Sequence, residues 1–292
     1  MRLHIPISLR SQIYLSRALS TLALTTILTL LTFLVIVWSF QETWIYGAEK
    51  SSFLELKPKA AALGLLEWIA RDGQQIGWQS ENGTGDWSLL ILHGRNHHAL
   101  FHSDLFLRLR EAGLKQKIYL LEYPGFGFRV GSPSEHNLVV AATHALQSID
   151  GDVVVLGQSL GGGVACELVA SNPRHVRGLV LLTPFDNLIS AGKQRYRWFP
   201  AWFLIRDQYN SMQHLPSFCG PVSFILADRD TVTPRILGEK LYGAYSGPKR
   251  LWVAPNSFHK QAVWKLPISD WQAAIGFAAN PITRMSRDSI RE

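Results

Sequence analysis

The sequence predicts an α/β fold in which a mostly parallel central sheet, with helices on both faces and a short helical cap, follows one N-terminal transmembrane helix. Three features support this prediction: an uncharged N-terminal run, short apolar segments that alternate with helical stretches, and a glycine-rich turn between a strand and a helix. The chain has 292 residues, 47% of them hydrophobic, so it can bury a substantial core.

The first predicted element is a transmembrane helix over residues 18–40. Its 23 residues carry no charged side chain, and as a helix they extend roughly 35 Å, enough to cross the ~30 Å hydrocarbon core of a bilayer. A cleaved signal peptide has a shorter apolar region that ends at a small-x-small site. This run ends in Trp38, Ser39 and Phe40, which favours an uncleaved anchor.

The charges that flank this run predict its orientation. Arg2, Arg10 and Arg17 precede it without an acidic residue, and Lys50 is the one basic residue among the fifteen that follow it. Cytoplasmic flanks carry the excess of basic residues. Residues 1–17 are therefore expected in the cytoplasm and the rest of the chain outside it, and we expect a bacterial inner membrane with the domain facing the periplasm.

Residues 41–64 are expected to form a connector, helical or irregular, that leads into the globular part. Trp44 and Tyr46 at its start fit an aromatic belt at the outer membrane interface.

Residues 65–279 are predicted to form one globular domain, followed by a frayed tail over 280–292. Two alternating segments about the Asp72-Gly73 turn indicate a hairpin. Short apolar runs separated by helical stretches follow, as is typical of a parallel sheet buried on both faces. These runs read KIYLLEY, DVVVLG, VRGLVLLTP, PVSFILAD and KRLWVAP.

The segment GDVVVLGQSLGGGVACELVA, residues 151–170, indicates a strand, a sharp turn and a helix around Ser159. A serine hydroxyl needs a neighbouring base to act as a nucleophile, so it must project from a sheet edge into a cleft. Gly157 and Gly161 permit the tight turn and the close approach of helix to strand that this exposure requires. The pattern G-x-S-x-G in this context predicts a nucleophile.

Six motifs together resemble the α/β-hydrolase superfamily, over residues 65 to 279. The closest resemblance is to membrane-anchored serine hydrolases of the esterase, acyl-thioesterase and serine-aminopeptidase-like branches. In chain order the motifs are LLILHGR (89–95), LLEYPGFGFRVGSPSE (120–135), GQSLGGG (157–163), LLTPFDNL (181–188), ADRDTVTP (227–234) and NSFHK (256–260).

The resemblance implies a catalytic triad of Ser159, Asp230 and His259, in the nucleophile–acid–histidine order of the superfamily. The motif ADRD also offers Asp228 as the acid, and the family's usual spacing favours Asp230. The histidine would take the serine proton and return it to the leaving group, while the acid holds its tautomer.

The resemblance also implies two backbone donors for the oxyanion of the tetrahedral intermediate. The amide that follows the nucleophile belongs to Leu160, and Arg95 occupies the position of the second donor in the loop after LLILHG.

No cofactor, metal or nucleic acid is expected. His98 and His102 have a zinc-like spacing, and His97 precedes them, but no glutamate lies between them and no third ligand is evident, so these histidines are expected to line the cleft or face solvent. The glycine-rich segments match neither a dinucleotide fingerprint nor a phosphate-binding loop. The net charge of +7 is scattered rather than clustered. Cys166 and Cys219 are expected to stay unpaired.

Residues 186–220 are predicted to form a short helical cap over the cleft, because the segment is long and aromatic for a connector. Its aromatic residues either form an acyl-binding wall or a membrane-facing patch, or pack onto the core. They are Trp198, Phe199, Trp202 and Phe203.

The predicted function is a membrane-anchored serine hydrolase that cleaves a carboxylic ester or thioester through an acyl-enzyme. The expected partners are a small-molecule or lipid-like acyl substrate and the bilayer around residues 18–40, and the oligomeric state stays open. Two alternatives remain: an inactive hydrolase fold that serves as a binding or scaffolding module, and a serine peptidase that acts on amide bonds.

Overall fold

A computed structural model of the chain describes residues 7–195 and 204–280. Within them, one sheet contains eight strands. In chain order, strands β1 to β8 are Leu65–Ile69, Gln75–Ser80, Trp87–Leu92, Lys117–Leu121, Asp152–Gln158, Val176–Leu182, Val222–Ala227 and Lys249–Ala254.

The sheet is mostly parallel, as the sequence predicts. The spatial order is β1-β2-β4-β3-β5-β6-β7-β8. Strands β1 and β2 form the predicted antiparallel hairpin, and β2 also pairs antiparallel with β4. All other pairs are parallel. Consequently β3 and β5 to β8 all end at one edge, called here the carboxyl edge.

Both faces of the sheet are covered by helices. Helices α1 to α10 are Ile7–Tyr46, Phe53–Ala62, Ser103–Glu111, Glu135–Gln147, Leu160–Ser171, Leu188–Arg195, Ser211–His214, Arg235–Ala244, Ala262–Lys265 and Ile268–Ala278. Alternate residues of β5 enter different core clusters: Val153 and Val155 pack with α4, α5 and α8, whereas Val154 and Leu156 pack with α3, α9 and α10. This two-sided burial explains the continuous apolar runs in the sequence.

Helix α1 contains the predicted span over residues 18–40. From Ser11 to Tyr46 it is long and apolar enough to cross a membrane, by length and composition, and little of it is buried inside the protein. The helix continues beyond Phe40 to Tyr46 and therefore includes the start of the predicted connector.

The rest of the predicted connector is ordered against the domain. A capping box formed by Ser52 and Glu55 begins helix α2. Leu56 and Ala60 on one face of α2 are fully buried in the core. Residues 53–62 therefore belong to the packed part of the chain.

The described parts of the predicted cap are helices α6 and α7 with the segment before α7. A Cβ atom built on Gly163 of α5 would lie 3.0 Å from the ring of Tyr209. The backbone amides of Gln208 and Tyr209 donate to the Glu135 carboxyl group at 2.6 Å. The four aromatic residues that the sequence analysis singled out in the cap lie outside the described residues, as does the tail from residue 281. Cys166 is buried, Cys219 is exposed, and both are free thiols.

Candidate active site

Ser159 occupies a strained turn between β5 and α5. Its φ of +52° and ψ of −114° lie outside the regions open to ordinary L-residues. Two backbone hydrogen bonds fix this conformation: its N–H donates to the Leu182 carbonyl at 2.9 Å, and its carbonyl accepts from the Gly162 N–H at 2.8 Å. Strain of this kind persists only where the surroundings over-determine it, and it is frequent at catalytic residues.

Gly161 allows helix α5 to begin against the sheet. A Cβ atom at this position would overlap the carbonyl oxygen of Leu92 at the end of β3. The second glycine of the G-x-S-x-G pattern is therefore required by packing. It holds the N-terminus of α5 at the carboxyl edge, directly beside Ser159.

His259 and Asp230 form a hydrogen-bonded pair. Asp230 lies in the loop after β7, and His259 begins a 3₁₀ turn in the loop after β8. The distance between His259 Nδ1 and Asp230 Oδ2 is 2.7 Å, with the Asp230 side chain only 1% exposed and that of His259 12% exposed. Because a carboxylate accepts, the imidazole proton lies on Nδ1, and Nε2 keeps its lone pair.

Two backbone amides donate to Asp230, and one hydroxyl lies within hydrogen-bonding distance of it. Its Oδ1 accepts from the backbone amides of Val232 at 2.8 Å and Thr233 at 2.9 Å. The Thr233 hydroxyl lies 3.1 Å from Oδ2, from His259 Nδ1 and from the Thr183 carbonyl. Sequence analysis did not assign Thr233 a role, although a hydroxyl three residues after Asp230 in the ADRDTVTP motif was the available signal.

Asp228 has a different partner. Its side chain is 38% exposed, and its Oδ1 lies 3.3 Å from the guanidinium of Arg235. The geometry therefore pairs His259 with Asp230 and leaves Asp228 in a surface ion pair, which favours Asp230 as the acid.

The loops that carry these residues meet at the carboxyl edge. Strands β5, β6, β7 and β8 are consecutive and parallel in the sheet, so Ser159, Asp230 and His259 all follow strands that end there. The Thr233 hydroxyl connects the acid loop to Thr183 at the end of β6. A serine in a strained turn and a histidine–aspartate pair on one edge are the parts that acyl transfer requires.

The two residues predicted to bind the oxyanion lie on either side of Ser159. Leu160 is the first residue of α5, where backbone amides lack intrahelical acceptors. Arg95 follows Gly94, and a Cβ built on Gly94 would lie 3.5 Å from Ser159 Cβ. We call residues 94–97 the oxyanion loop. Its Asn96 and His97 have φ values of +71° and +57°.

The oxyanion loop contacts the end of helix α1, which sequence analysis missed. The Arg95 guanidinium donates to the Trp44 carbonyl at 2.7 Å, and the Asn96 amide donates to the Tyr46 carbonyl at 2.7 Å. Tyr46 was expected at the membrane interface, and this was wrong: its side chain is fully buried. Helix α1 ends inside the domain, so the tyrosine packs among core residues.

The histidines after β3 differ in exposure. His97 is partly exposed and lies beside Glu49, but His98 and His102 are buried behind the loop. Burial lowers the pKa of His98, and it lowers the pKa of His102 to about 4. Among residues 7–195 and 204–280, no group of three or more potential ligands is placed to hold a metal ion.

A buried pair, Glu122 and His93, lies behind the oxyanion loop. Glu122 Oε1 accepts from the Ala99 amide at 2.9 Å and lies 3.7 Å from His93 Nε2. His93 Nδ1 donates to the Gly94 carbonyl at 2.8 Å. Burial raises the pKa of Glu122 to about 8 and lowers the pKa of His93 well below its usual value. Burial therefore favours the neutral form of both side chains.

Comparison with known proteins agrees with this architecture. The sequence profile of the alpha/beta hydrolase family matches residues 89–282. An uncharacterized protein of Mycobacterium tuberculosis is 29% identical over 237 residues, which are 77% of this chain and 83% of that protein. The lysophosphatidylserine lipase ABHD12 of Mus musculus is 30% identical over 203 residues, 60% of this chain and half of the mouse protein.

A solved structure, the esterase Pf2001 of Pyrococcus furiosus, superposes with a TM-score of 0.57 at 18% identity. The superposition covers 74% of this chain and 90% of the esterase. At this identity the likeness concerns the fold.

Proposed function

Because the chain belongs to the alpha/beta hydrolase family, we propose that it is a membrane-anchored serine hydrolase that cleaves a carboxylic ester or thioester through an acyl-enzyme. The observation that carries this proposal is the strained Ser159 at the carboxyl edge, the same edge to which the Asp230–His259 pair is fixed. Backbone strain of this kind is frequent at catalytic residues, which supports a chemical role for Ser159.

Acylation begins at Ser159. Its Oγ attacks the carbonyl carbon of the substrate, and its proton passes to Nε2 of His259, whose lone pair is free because the proton lies on Nδ1. The imidazolium that forms is stabilised by the Asp230 carboxylate 2.7 Å away. Collapse of the tetrahedral intermediate expels the alcohol or thiol, which takes the proton from Nε2.

Deacylation repeats these steps with water as the nucleophile. His259 removes a proton from the water, the hydroxide oxygen attacks the acyl carbon, and Ser159 leaves with the proton returned from Nε2. The amides of Leu160 and Arg95 would donate to the oxyanion in both half-reactions. Loss of one such donor typically costs about 3 kcal/mol in transition-state stabilisation.

The proposed setting is a single span over residues 18–40, with the N-terminus in the cytoplasm and the catalytic domain on the opposite side, in a bacterial inner membrane. Support comes from the long exposed apolar helix α1 and from the basic residues that precede the span. The name of the mouse relative, a lysophosphatidylserine lipase, supports a lipid-like acyl substrate. An anchored enzyme at a bilayer surface meets such amphiphiles at high local concentration.

Covalent labelling of the full chain in detergent with a fluorophosphonate tests the nucleophile. We expect wild type to be labelled and Ser159→Ala to remain unlabelled, with equal melting temperatures for the two proteins. Ser171→Ala, at the far end of helix α5, is the matched control and should label as wild type does. Equal labelling of wild type and Ser159→Ala would refute the assignment.

A substrate panel then separates ester hydrolysis from the two alternatives. We expect turnover of p-nitrophenyl esters and acyl thioesters that is lost in Ser159→Ala. Turnover confined to amides would identify a peptidase. A folded wild-type protein that neither labels nor turns over any member of the panel would indicate a binding or scaffolding module.

A further inference from the structure

The backbone at the end of helix α1 serves as a template for the oxyanion loop. The carbonyl groups of Trp44, Tyr46 and Gly47 accept, respectively, from the Arg95 guanidinium at 2.7 Å, the Asn96 amide at 2.7 Å and the His97 amide at 3.2 Å. Three consecutive loop residues are thus bound to three residues of a four-residue segment some fifty positions earlier. Ala48 and His97 continue the contact as a parallel bridge.

The oxyanion loop needs such a template because its backbone is strained. Asn96 and His97 are consecutive non-glycine residues in left-handed conformations, which are unfavourable for residues that carry a Cβ atom. A loop of this kind holds one conformation only when outside contacts compensate. The contacts to the end of α1 involve each of residues 95–97, directly beside Ser159.

The template itself is anchored on the opposite side by the segment that precedes α7. The Tyr46 hydroxyl lies 2.8 Å from Asp207 Oδ2 and 2.9 Å from the Tyr209 hydroxyl. Gln41, one helical turn earlier, accepts from the Arg206 amide at 3.0 Å. The last turns of α1 therefore lie between the cap segment, residues 206–209, and the oxyanion loop.

We propose that residues 44–47 are a positioning element of the active site, which holds the Arg95 amide where the oxyanion forms. The membrane helix would then be a working part of the catalytic centre in addition to being an anchor. This inference rests on the proposed function, since it concerns the oxyanion of that reaction. Its distinctive consequence is a defect in transition-state binding with little change in ground-state binding.

Gly47→Ala tests the proposal in the full chain. Gly47 has a φ of +55°, and a Cβ atom there would overlap the side-chain oxygen of Asn96. The matched control is Gly64→Ala, because Gly64 has a similar φ of +70° and no atom within 4 Å of the added Cβ. Both variants place an alanine in a left-handed backbone conformation, but only the Cβ atom of Gly47→Ala collides with Asn96 of the oxyanion loop.

We expect Gly47→Ala to lower kcat on a soluble p-nitrophenyl ester by about 10- to 100-fold, the effect of displacing a catalytic group by about 1 Å, with KM changed less than about threefold. A trifluoromethyl ketone, which binds serine as a tetrahedral oxyanion, should bind more weakly by the same factor. Gly64→Ala should match wild type in kcat and in inhibitor affinity. The second change Asn96→Gly should restore most of the lost kcat.

Arg95→Met provides a second variant should Gly47→Ala fail to fold. It removes the donor to the Trp44 carbonyl while keeping the length of the side chain, and it should show the same pattern, with Arg95→Lys closer to wild type.

The result that overturns the inference is a folded Gly47→Ala or Arg95→Met protein with wild-type kcat and inhibitor affinity. A loss that appears in KM alone also overturns it. If wild type itself shows no labelling at Ser159, the proposed function fails, and this outcome is distinct from a failure of the positioning role.

Discussion

An Asp230→Asn substitution should inactivate the enzyme through the tautomer of His259. Two backbone amides donate to Oδ1 of Asp230, so an asparagine must place its carbonyl oxygen on that side. Its NH₂ group then faces Nδ1 of His259, where Oδ2 accepts in wild type at 2.7 Å. A donor opposite Nδ1 forces the imidazole proton onto Nε2. The nitrogen that must take the proton from Ser159 is then already protonated.

The expected magnitude is a fall in kcat of about 10⁴-fold, or roughly 5.5 kcal/mol of activation free energy, the cost of the wrong tautomer in a triad whose geometry stays intact. Asp228→Asn is the matched control, two residues away. Asp228 is partly exposed and paired with Arg235, and an exposed pair contributes at most about 1 kcal/mol. Its substitution should change kcat less than about threefold.

The assay is p-nitrophenol release from a short acyl ester by the full chain in detergent. Thermal unfolding should show that both variants fold, because asparagine preserves the volume of the aspartate. The reasoning is refuted if Asp230→Asn loses less than tenfold in kcat, or if Asp228→Asn loses more than Asp230→Asn. The second result would move the acid to Asp228 and leave the structural His259–Asp230 pair without a catalytic role.

Three further predictions concern neighbouring groups. Burial raises the pKa of Glu122 to about 8 from an ordinary value of 4.5, so between these pH values the folded state keeps a proton that the unfolded state releases. The free energy of unfolding should therefore fall as pH rises from about 4.5 to 8, by at most about 1.4 kcal/mol per pH unit. Glu122→Gln should lack this fall when unfolding is measured across the same pH range. Thr233→Val removes the hydroxyl 3.1 Å from the Asp230 carboxylate and should lower kcat about tenfold, with KM unchanged in steady-state kinetics. A membrane-impermeant maleimide should label exposed Cys219 in intact cells if the domain lies outside the cytoplasm. Cys166 should react only after unfolding, because it is buried and burial raises the pKa of its thiol to about 12.

Local sequence signals were sufficient to predict the sheet and the sharp turn at Ser159. The Asp72-Gly73 turn and the alternation around it predicted the β1–β2 hairpin, and buried parallel strands read as apolar runs because both faces are covered. The glycines beside Ser159 predicted a sharp turn, and the structure gives the physical reason at Gly161, where a side chain would overlap β3. These features depend on residues close together in the chain.

The burial of the histidines near the oxyanion loop could not be predicted from local sequence signals. His98 and His102 carry the same side chain as His97, and the sequence offers nothing that separates buried from exposed members. Their burial depends on the path of the loop, which in turn depends on Glu122, more than twenty residues away, accepting from the Ala99 amide. A contact of that sequence separation leaves no periodic pattern in the chain.

The packing of the end of helix α1 against the domain could not be predicted from the sequence, for a related reason. A helix that spans a bilayer is apolar on all its faces. The face of helix α1 that packs against protein therefore has the same amino-acid composition as the faces that would contact lipid. Just after residues 18–40, Gln41 is a polar residue that is buried against the cap segment. If residues 18–40 span the membrane, Trp44 lies only about 6 Å beyond the hydrocarbon. The hydrogen bond from the Arg95 guanidinium to the Trp44 carbonyl would then hold the carboxyl edge of the sheet near the bilayer surface. Under the proposed single span, the location of the carboxyl edge would follow from where the helix ends, because residues 44–47 would both leave the membrane and bind the oxyanion loop.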